Sequence, residues 1–154
     1  MNFEDKINEM KISLPEPPQP VANYIPAKIT ENLVFCSGQG PIKDGEYIYV
    51  GRVGNEVTLE EGYESARMCA INSLAAVKSI VGSLNNIEEI VKVKGYVNSA
   101  SDFFDQPKVI NGASDLFVDI FGEKGRHARS ALGTSNLPDN IPVELELTVK
   151  IKKS

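Results

Sequence analysis

The segment VELELTVKI, residues 143–151, decides the fold because its side chains alternate between apolar and polar at almost every position. Successive side chains of a β-strand point to opposite faces of the sheet, so this alternation predicts a strand with one buried face. The apolar face carries Val143, Leu145, Leu147, Val149 and Ile151, and the other face carries Glu144, Glu146, Thr148 and Lys150. A sheet of this kind needs helices to cover its apolar face.

Two amphipathic helices are predicted to supply that cover. The first begins at Thr58, which has the capping-box spacing to Glu61, and ends at Gly82. Its apolar stripe consists of Ala66, Cys69, Ala70, Leu74, Val77, Ile80 and Val81. The second has Pro107 in its first turn and ends at Gly122. Its stripe consists of Val109, Ile110, Ala113, Leu116, Phe117, Ile120 and Phe121.

Four more strands are predicted, at residues 32–37, 47–50, 90–97 and 128–133. The first two flank a turn from Pro41 to Gly45, which favours a hairpin between them. The resulting order is strand, strand, helix, strand, helix, strand, strand, which is typical of an α+β fold: a mixed sheet with two helices on one face. The opposite face carries neutral side chains such as Tyr96, so we expect self-association to cover it.

The length and net charge of the chain favour a single domain that binds neither nucleic acid nor a membrane. A chain of 154 residues fits one domain, and a net charge of −5 disfavours binding to nucleic acid. The densest basic cluster is Lys150, Lys152 and Lys153 at the C-terminus, which is more typical of a solvated end than of a nucleic-acid groove. No apolar run approaches the ~20 residues that cross a bilayer, so no membrane association is expected.

The N-terminal region is predicted to precede the main domain. Residues 2–12 fit a short amphipathic helix with Phe3, Ile7 and Met10 on one side. A connector rich in proline follows, with Pro15, Pro17, Pro18 and Pro20. We therefore divide the chain into residues 1–21, the helix and connector, and residues 22–154, the domain. The polar N-terminus lacks the pattern of a signal peptide, which favours a cytoplasmic protein.

The cysteine pattern agrees with a reducing compartment. Cys36 and Cys69 both lie among apolar neighbours, which favours two buried free thiols over a disulfide. They are also far apart in sequence and match no zinc-ligand spacing.

Several well-known chemistries lack their motifs. The chain has no phosphate-binding glycine loop and no GxSxG elbow that would supply a nucleophile for its one histidine, His127. Metal, nucleotide and catalytic-triad functions are therefore disfavoured. The structural interpretation of His127 is a hydrogen-bonded histidine beside a turn.

Arg129 is the remaining candidate for chemistry. It lies in the apolar strand at residues 128–133, between the small residues Ala128 and Ala131, and a guanidinium can hold a carboxylate through two parallel hydrogen bonds. The alternative is a structural salt bridge, for example to Glu144 on a neighbouring strand. The residue types alone favour the salt bridge slightly.

Four stretches of the chain form a recognisable set: Phe35-Cys36-Ser37-Gly38-Gln39, Ala128-Arg129-Ser130, Asn136-Leu137-Pro138 and Val143-Glu144-Leu145-Glu146. Their order and spacing resemble the Rid/YjgF family of reactive-intermediate, enamine/imine deaminases, also called endoribonuclease L-PSP or translation inhibitor. The likeness extends from Ala22 to Ile151. The stretch Gly125-Arg126-His127-Ala128 replaces a more usual approach that contains proline, which points to a longer and mostly uncharacterised subgroup.

The resemblance implies a fold, an assembly and an activity. The fold would be that of the small bacterial chorismate mutase, assembled as a homotrimer with ligand clefts between subunits. Members of the family hydrolyse enamines and imines of the 2-aminoacrylate type to 2-oxo acids and ammonia, and they use no metal or organic cofactor. The expected partner is a small metabolite that bears a carboxylate.

The resemblance also assigns site residues, and it reverses the ranking for Arg129. Arg129 would bind the substrate carboxylate, Glu144 would hold or activate water, and Tyr24 would complete the catalytic group. Five further residues would line the substrate site: Ser37, Gly38, Asn111, Ser130 and Ala131. Ala131 stands where some deaminases carry cysteine.

Three hypotheses of function follow in order. The first is a hydrolytic deaminase of small enamines and imines. The second is a protein that binds a small carboxylate metabolite without turnover. The third, a ribonuclease or translation inhibitor, ranks last because of the net charge of −5.

Overall fold

A computed structural model describes residues 2–17 and 22–153. In these ranges the helices are α1 (Phe3–Glu9), α2 (Leu59–Val81) and α3 (Gln106–Phe121). The strands are β1 (Ala27–Thr30), β2 (Leu33–Gln39), β3 (Ile42–Lys43), β4 (Glu46–Tyr47), β5 (Ile87–Asn98), β6 (Ala128–Thr134) and β7 (Val143–Ile151). Short 3₁₀ turns lie at Leu84–Asn86, Gly122–Gly125 and Pro138–Asn140.

The main sheet of the described ranges has five strands in the order β1-β2-β7-β5-β6. β5 and β6 run parallel, and the other neighbours are antiparallel, so the predicted mixed sheet is confirmed. The parallel pair follows from the crossover through α3, which returns the chain to the same end of the sheet. β6 is an edge strand, and this places Arg129 at the rim of the sheet.

Both long helices pack on one face of this sheet, as predicted. The capping box at the start of α2 is present: the Thr58 Oγ1 accepts from the Glu61 backbone N–H at 3.1 Å, and the Glu61 carboxylate accepts from the Thr58 N–H at 2.9 Å. α3 lies directly on β5, since a Cβ atom on Gly95 would overlap Ile110. The apolar side of β7 is buried beneath the helices, and its polar side is half-buried on the open face.

The predicted hairpin between residues 32–37 and 47–50 is wrong. Residues 46–47 pair with Ile42–Lys43 in a separate two-stranded sheet, whereas β2 pairs with β1 and β7. The sequence does not signal β1, because only the first of its four residues is buried and so no alternation develops. The loop between β1 and β2 consists of Glu31 and Asn32, and Glu31 has a φ of 55°. Glutamate rarely adopts this left-handed conformation, so the residue does not indicate a turn in the sequence.

The N-terminal helix packs against the helical layer. The side chain of Ile7 is buried, and the Phe3 ring meets the Phe121 ring edge-on with centroids 4.6 Å apart. The Glu4 carboxylate accepts from the Leu84 backbone N–H at 2.8 Å and pairs with Lys78 at 3.1 Å. The connector is described as far as residue 17, so Pro18 and Pro20 lie outside the described residues.

Both cysteines are buried and free, as predicted. Burial raises the pKa of the Cys36 thiol to about 12, and burial also raises the pKa of the Cys69 thiol. In the described part of the chain, no helix is long and apolar enough to cross a membrane.

Candidate functional site

A β-bulge in β2 shapes one side of the candidate site. Cys36 pairs with Leu147 and Gln39 with Leu145, so β2 has one extra residue between these pairs. The bulge brings the backbone of Gly38 against Glu144 on β7: a Cβ at Gly38 would lie 2.7 Å from the Glu144 Oε2. Glycine at this position therefore leaves the space that the carboxylate occupies.

Tyr24 reaches the same place because Ser37 holds the segment before β1. The Ser37 Oγ donates to the Ile25 carbonyl at 2.7 Å, and the Ser37 N–H donates to the Pro26 carbonyl at 2.8 Å. Tyr24, Gly38 and Glu144 then line a cavity of about 190 Å³, together with Gln39, Tyr47 and Pro138. The predicted residues Tyr24, Ser37, Gly38 and Glu144 thus come together.

The Glu144 carboxylate is half-buried and lacks a compensating charge. Burial raises its pKa, and the negative charge of Glu146, two residues along β7, raises it further. Within residues 2–17 and 22–153, no hydrogen bond or ion pair satisfies this carboxylate. A carboxyl group with a raised pKa is better suited to exchange a proton with a ligand than one with an ordinary pKa.

Arg129 lies on the other side of the sheet, under α3. Its Nη1 donates to the Asn111 Oδ1 at 2.8 Å and to the Ser114 Oγ at 3.2 Å. The structure thus brings together Arg129 and Asn111, each of which the resemblance assigns to the site. Ser130 lies on the open face opposite Lys94 of β5, and Ala131 packs against the core.

The alternative salt bridge from Arg129 to Glu144 is wrong. β6 neighbours β5, not β7, so two inter-strand spacings separate the two side chains, roughly 10 Å. They also point to opposite faces, since Arg129 pairs with the buried Val93 whereas Glu144 pairs with Tyr96. Among the described residues Arg129 has no carboxylate partner.

Sequence reasoning missed two residues beside Arg129. Ser114 follows Asn111 by three positions in α3, so both face the same way along the helix. His127 bonds to Ser114, with 2.9 Å between Nε2 and Oγ. The helical spacing of Asn111 and Ser114 was the available signal. The described residues contain no group of three or more metal-ligating side chains.

The candidate site residues therefore form two groups in one chain. The first group, Tyr24, Ser37, Gly38 and Glu144, lies beside β2 and β7, and the second, Arg129 with Asn111, lies at the opposite rim of the sheet.

Comparison with known proteins places this arrangement in a family. Residues 4–147 match the family described as "YjgF/chorismate_mutase-like, putative endoribonuclease". Protein TCP17 of Trypanosoma cruzi is 35% identical over 146 residues, which are 94% of this chain and 91% of that protein.

Solved structures agree with the family and the fold. The protein Atu1372 of Agrobacterium tumefaciens, of unknown function, is 40% identical with a TM-score of 0.91, covering 97% of this chain and 92% of its own. A "putative endoribonuclease" of Shewanella oneidensis MR-1 is 32% identical with a TM-score of 0.94, covering 98% of this chain and 100% of its own. The YjgF protein of E. coli shares the fold, with 20% identity and a TM-score of 0.64 over 90% of this chain and 94% of its own.

The match over residues 4–147 and the identities of 32–40% with full-length relatives agree with the Rid/YjgF motifs around Gly38, Arg129 and Glu144. The chain therefore belongs to the YjgF/chorismate mutase-like family.

Proposed function

We propose that the protein hydrolyses small enamines and imines of the 2-aminoacrylate type to 2-oxo acids and ammonia. The observation that carries this proposal is the state of the Arg129 side chain. Both Nη1 protons are directed to Asn111 and Ser114, whereas Nε and Nη2 have no partner among the described residues. That remaining edge of the guanidinium has the fork geometry that binds a carboxylate.

The proposed cleft lies between neighbouring chains of a homotrimer. Arg129 and Glu144 point to opposite faces in one chain, so neither can reach a small ligand held by the other. A cleft that joins Arg129 of one chain to Tyr24 and Glu144 of the next would contain both groups. The uncovered sheet face, which carries Tyr96 and Leu132, supports association between chains.

The reaction requires only proton transfer and a positioned water. Protonation of the terminal carbon converts the enamine to an imine, and water then adds to the imine carbon. A further proton transfer to nitrogen lets ammonia leave and the carbonyl form, so one water is consumed for each ammonia released. Glu144, with its raised pKa, is the group that can give a proton in the first step and take one from water in the second. Arg129 contributes orientation by holding the carboxylate.

The test is to generate 2-aminoacrylate in situ with an eliminating enzyme and to follow ammonia and 2-oxo acid. We expect Arg129→Ala to lower kcat/KM by about 100-fold, since a charge-assisted bidentate contact is worth about 3 kcal/mol. Arg126→Ala is the matched control because its guanidinium is exposed and, among the described residues, pairs with Glu123 alone, at 3.7 Å. An Arg129→Ala protein as active as the control would rule out the proposed role.

Two other functions are outcomes of the same measurement. Calorimetric binding of a 2-oxo acid without turnover would favour a carboxylate-binding protein. The names of some relatives suggest cleavage of RNA, which the net charge of −5 disfavours. A ribonuclease function would require that the purified protein cleaves RNA and that Arg129→Ala does not.

A further inference from the structure

A chain of hydrogen bonds runs behind Arg129, from Asn111 and Ser114 in α3 to the turn before β6. The Ser114 Oγ lies 3.2 Å from the Arg129 Nη1 and 2.9 Å from the His127 Nε2. The His127 Nδ1 lies 2.7 Å from the Gly125 carbonyl oxygen. We refer to Ser114, His127 and the Gly125 carbonyl as the relay.

The chemistry of its ends fixes the direction of each hydrogen bond. A carbonyl oxygen only accepts, so the His127 Nδ1 must carry the hydrogen. In the neutral imidazole the Nε2 then accepts, which makes Ser114 the donor to His127 and leaves its lone pairs for Arg129. Burial lowers the pKa of His127 by more than the hydrogen bond to the Gly125 carbonyl raises it, and the nearby charge of Arg129 also lowers it, so the neutral form prevails at pH 7.

Packing holds the relay in place. The His127 ring stands edge-on to the Phe117 ring, with centroids 5.8 Å apart and an interplanar angle of 89°. Gly125 lies so close to the backbone of Phe117 that a Cβ atom would overlap the Phe117 carbonyl. The carbonyl that orients the imidazole is thereby tied to α3, the helix that carries Ser114.

We propose that Ser114 and His127 are positioning residues that aim Arg129 at its ligand. Asn111 and Ser114 accept the two Nη1 protons and so turn the Nε and Nη2 edge outward, while His127 acts on Arg129 only through Ser114. This inference rests on the proposed role of Arg129 as the carboxylate-binding group.

A nucleophilic role for Ser114 fits the structure less well. The distance from Ser114 to His127 would suit a nucleophile and its base. However, Arg129 occupies a lone pair of the Ser114 Oγ, and Ser114 lies inside α3, where the neighbouring backbone N–H groups bond within the helix and cannot stabilise an oxyanion.

The experiment compares two pairs of variants in the enamine assay and in calorimetry with pyruvate at pH 8. His127→Gln keeps an acceptor where Nε2 was, whereas His127→Asn keeps a donor for the Gly125 carbonyl but removes the acceptor for Ser114. Ser114→Thr keeps the hydroxyl that Ser114→Ala removes. We expect His127→Asn and Ser114→Ala to raise KM and the Kd for pyruvate about tenfold, which corresponds to 1.4 kcal/mol, with kcat within about twofold. His127→Gln and Ser114→Thr should stay near wild type.

The single histidine of the chain also provides a spectroscopic readout. In ¹⁵N NMR the wild-type imidazole should show the Nδ1–H tautomer, and Ser114→Ala should shift the Nε2 signal. Pyruvate should perturb these signals in the wild type and leave them unchanged in Arg129→Ala.

The readouts separate the two proposals. If the wild type neither binds pyruvate nor hydrolyses enamines, the proposed function fails, while a fixed tautomer that depends on Ser114 still supports the relay. If the imidazole exchanges between tautomers, or if all four variants bind pyruvate like the wild type, the relay is overturned even where Arg129→Ala abolishes binding. A loss of kcat alone in Ser114→Ala would point to the nucleophile instead.

Discussion

At the scale of single residues, the Glu144 carboxyl group links stability to pH. It is half-buried against Gly38 and has a raised pKa, so the folded chain binds its proton more tightly than the unfolded chain does. The penalty on the folded state is therefore absent well below the unfolded pKa, grows as the pH rises through the interval between the two pKa values, and is complete above the folded pKa.

Glu144→Gln removes this penalty. At pH 8 we expect the variant to unfold at a higher urea concentration than the wild type. The gain in the free energy of unfolding should be less than about 1 kcal/mol, because solvent screens the half-exposed group, and it should disappear near pH 4. The exposed Glu46→Gln is the matched control and should show no such difference between the two pH values. Equal gains at both pH values would mean that charge burial is not the cause.

The residue scale also shows where sequence reasoning succeeds and where it stops. The family motifs select Gly38, Glu144, Arg129 and Asn111 as site residues, and in the structure Gly38 meets Glu144 and Arg129 meets Asn111. The salt bridge from Arg129 to Glu144 failed because a sequence does not state which strands are neighbours or which face each residue takes. The sequence indicates no partner for His127, because Ser114 comes close to it only when α3 packs beside β6.

At the scale of elements, the close contact between α2 and α3 depends on Gly112. A Cβ atom at this position would overlap the backbone carbonyl of Tyr63, and backbone cannot move aside as the end of a side chain can. Gly112→Ala should lower the free energy of unfolding by at least about 2 kcal/mol. Val118→Ala, a substitution at an exposed site of α3, should change it by less than about 0.5 kcal/mol. Urea denaturation of both variants makes the comparison, and equal midpoints would refute the close packing.

The elements differ in how well sequence predicts them. α2, α3 and β7 follow from caps, terminal glycines and regular spacing, because these elements carry a full stripe of apolar side chains. β1 has one buried residue, so its position depends on pairing with β2 rather than on its own pattern. The β3–β4 hairpin is only two residues long on each side, and the turn signal at Asp44-Gly45 does not indicate which strands it joins, so the turn is predicted correctly and the strand pair is not.

At the scale of the whole molecule, the open face of the sheet is the surface through which chains would associate. Leu132 is 54% exposed on this face, where it pairs with Tyr96, and Val118 is 40% exposed on the helical side. If three chains associate through their sheets, Leu132→Asp should shift the sedimenting species towards single chains, whereas Val118→Asp should leave it unchanged. A wild-type protein that sediments as one chain would argue against the trimer.

The placement of Arg129 and Glu144 on opposite faces of one sheet predicts complementation between variant chains. In a cyclic trimer each cleft would take its arginine from one chain and its glutamate from the next, so a chain that lacks one group still offers the other to a neighbour. Arg129→Ala and Glu144→Gln chains, each expected to have low activity alone, should therefore complement one another when they are unfolded together and refolded as a mixture. A mixed trimer contains one cleft with both groups intact, so activity should return to the mixture and not to either protein refolded by itself.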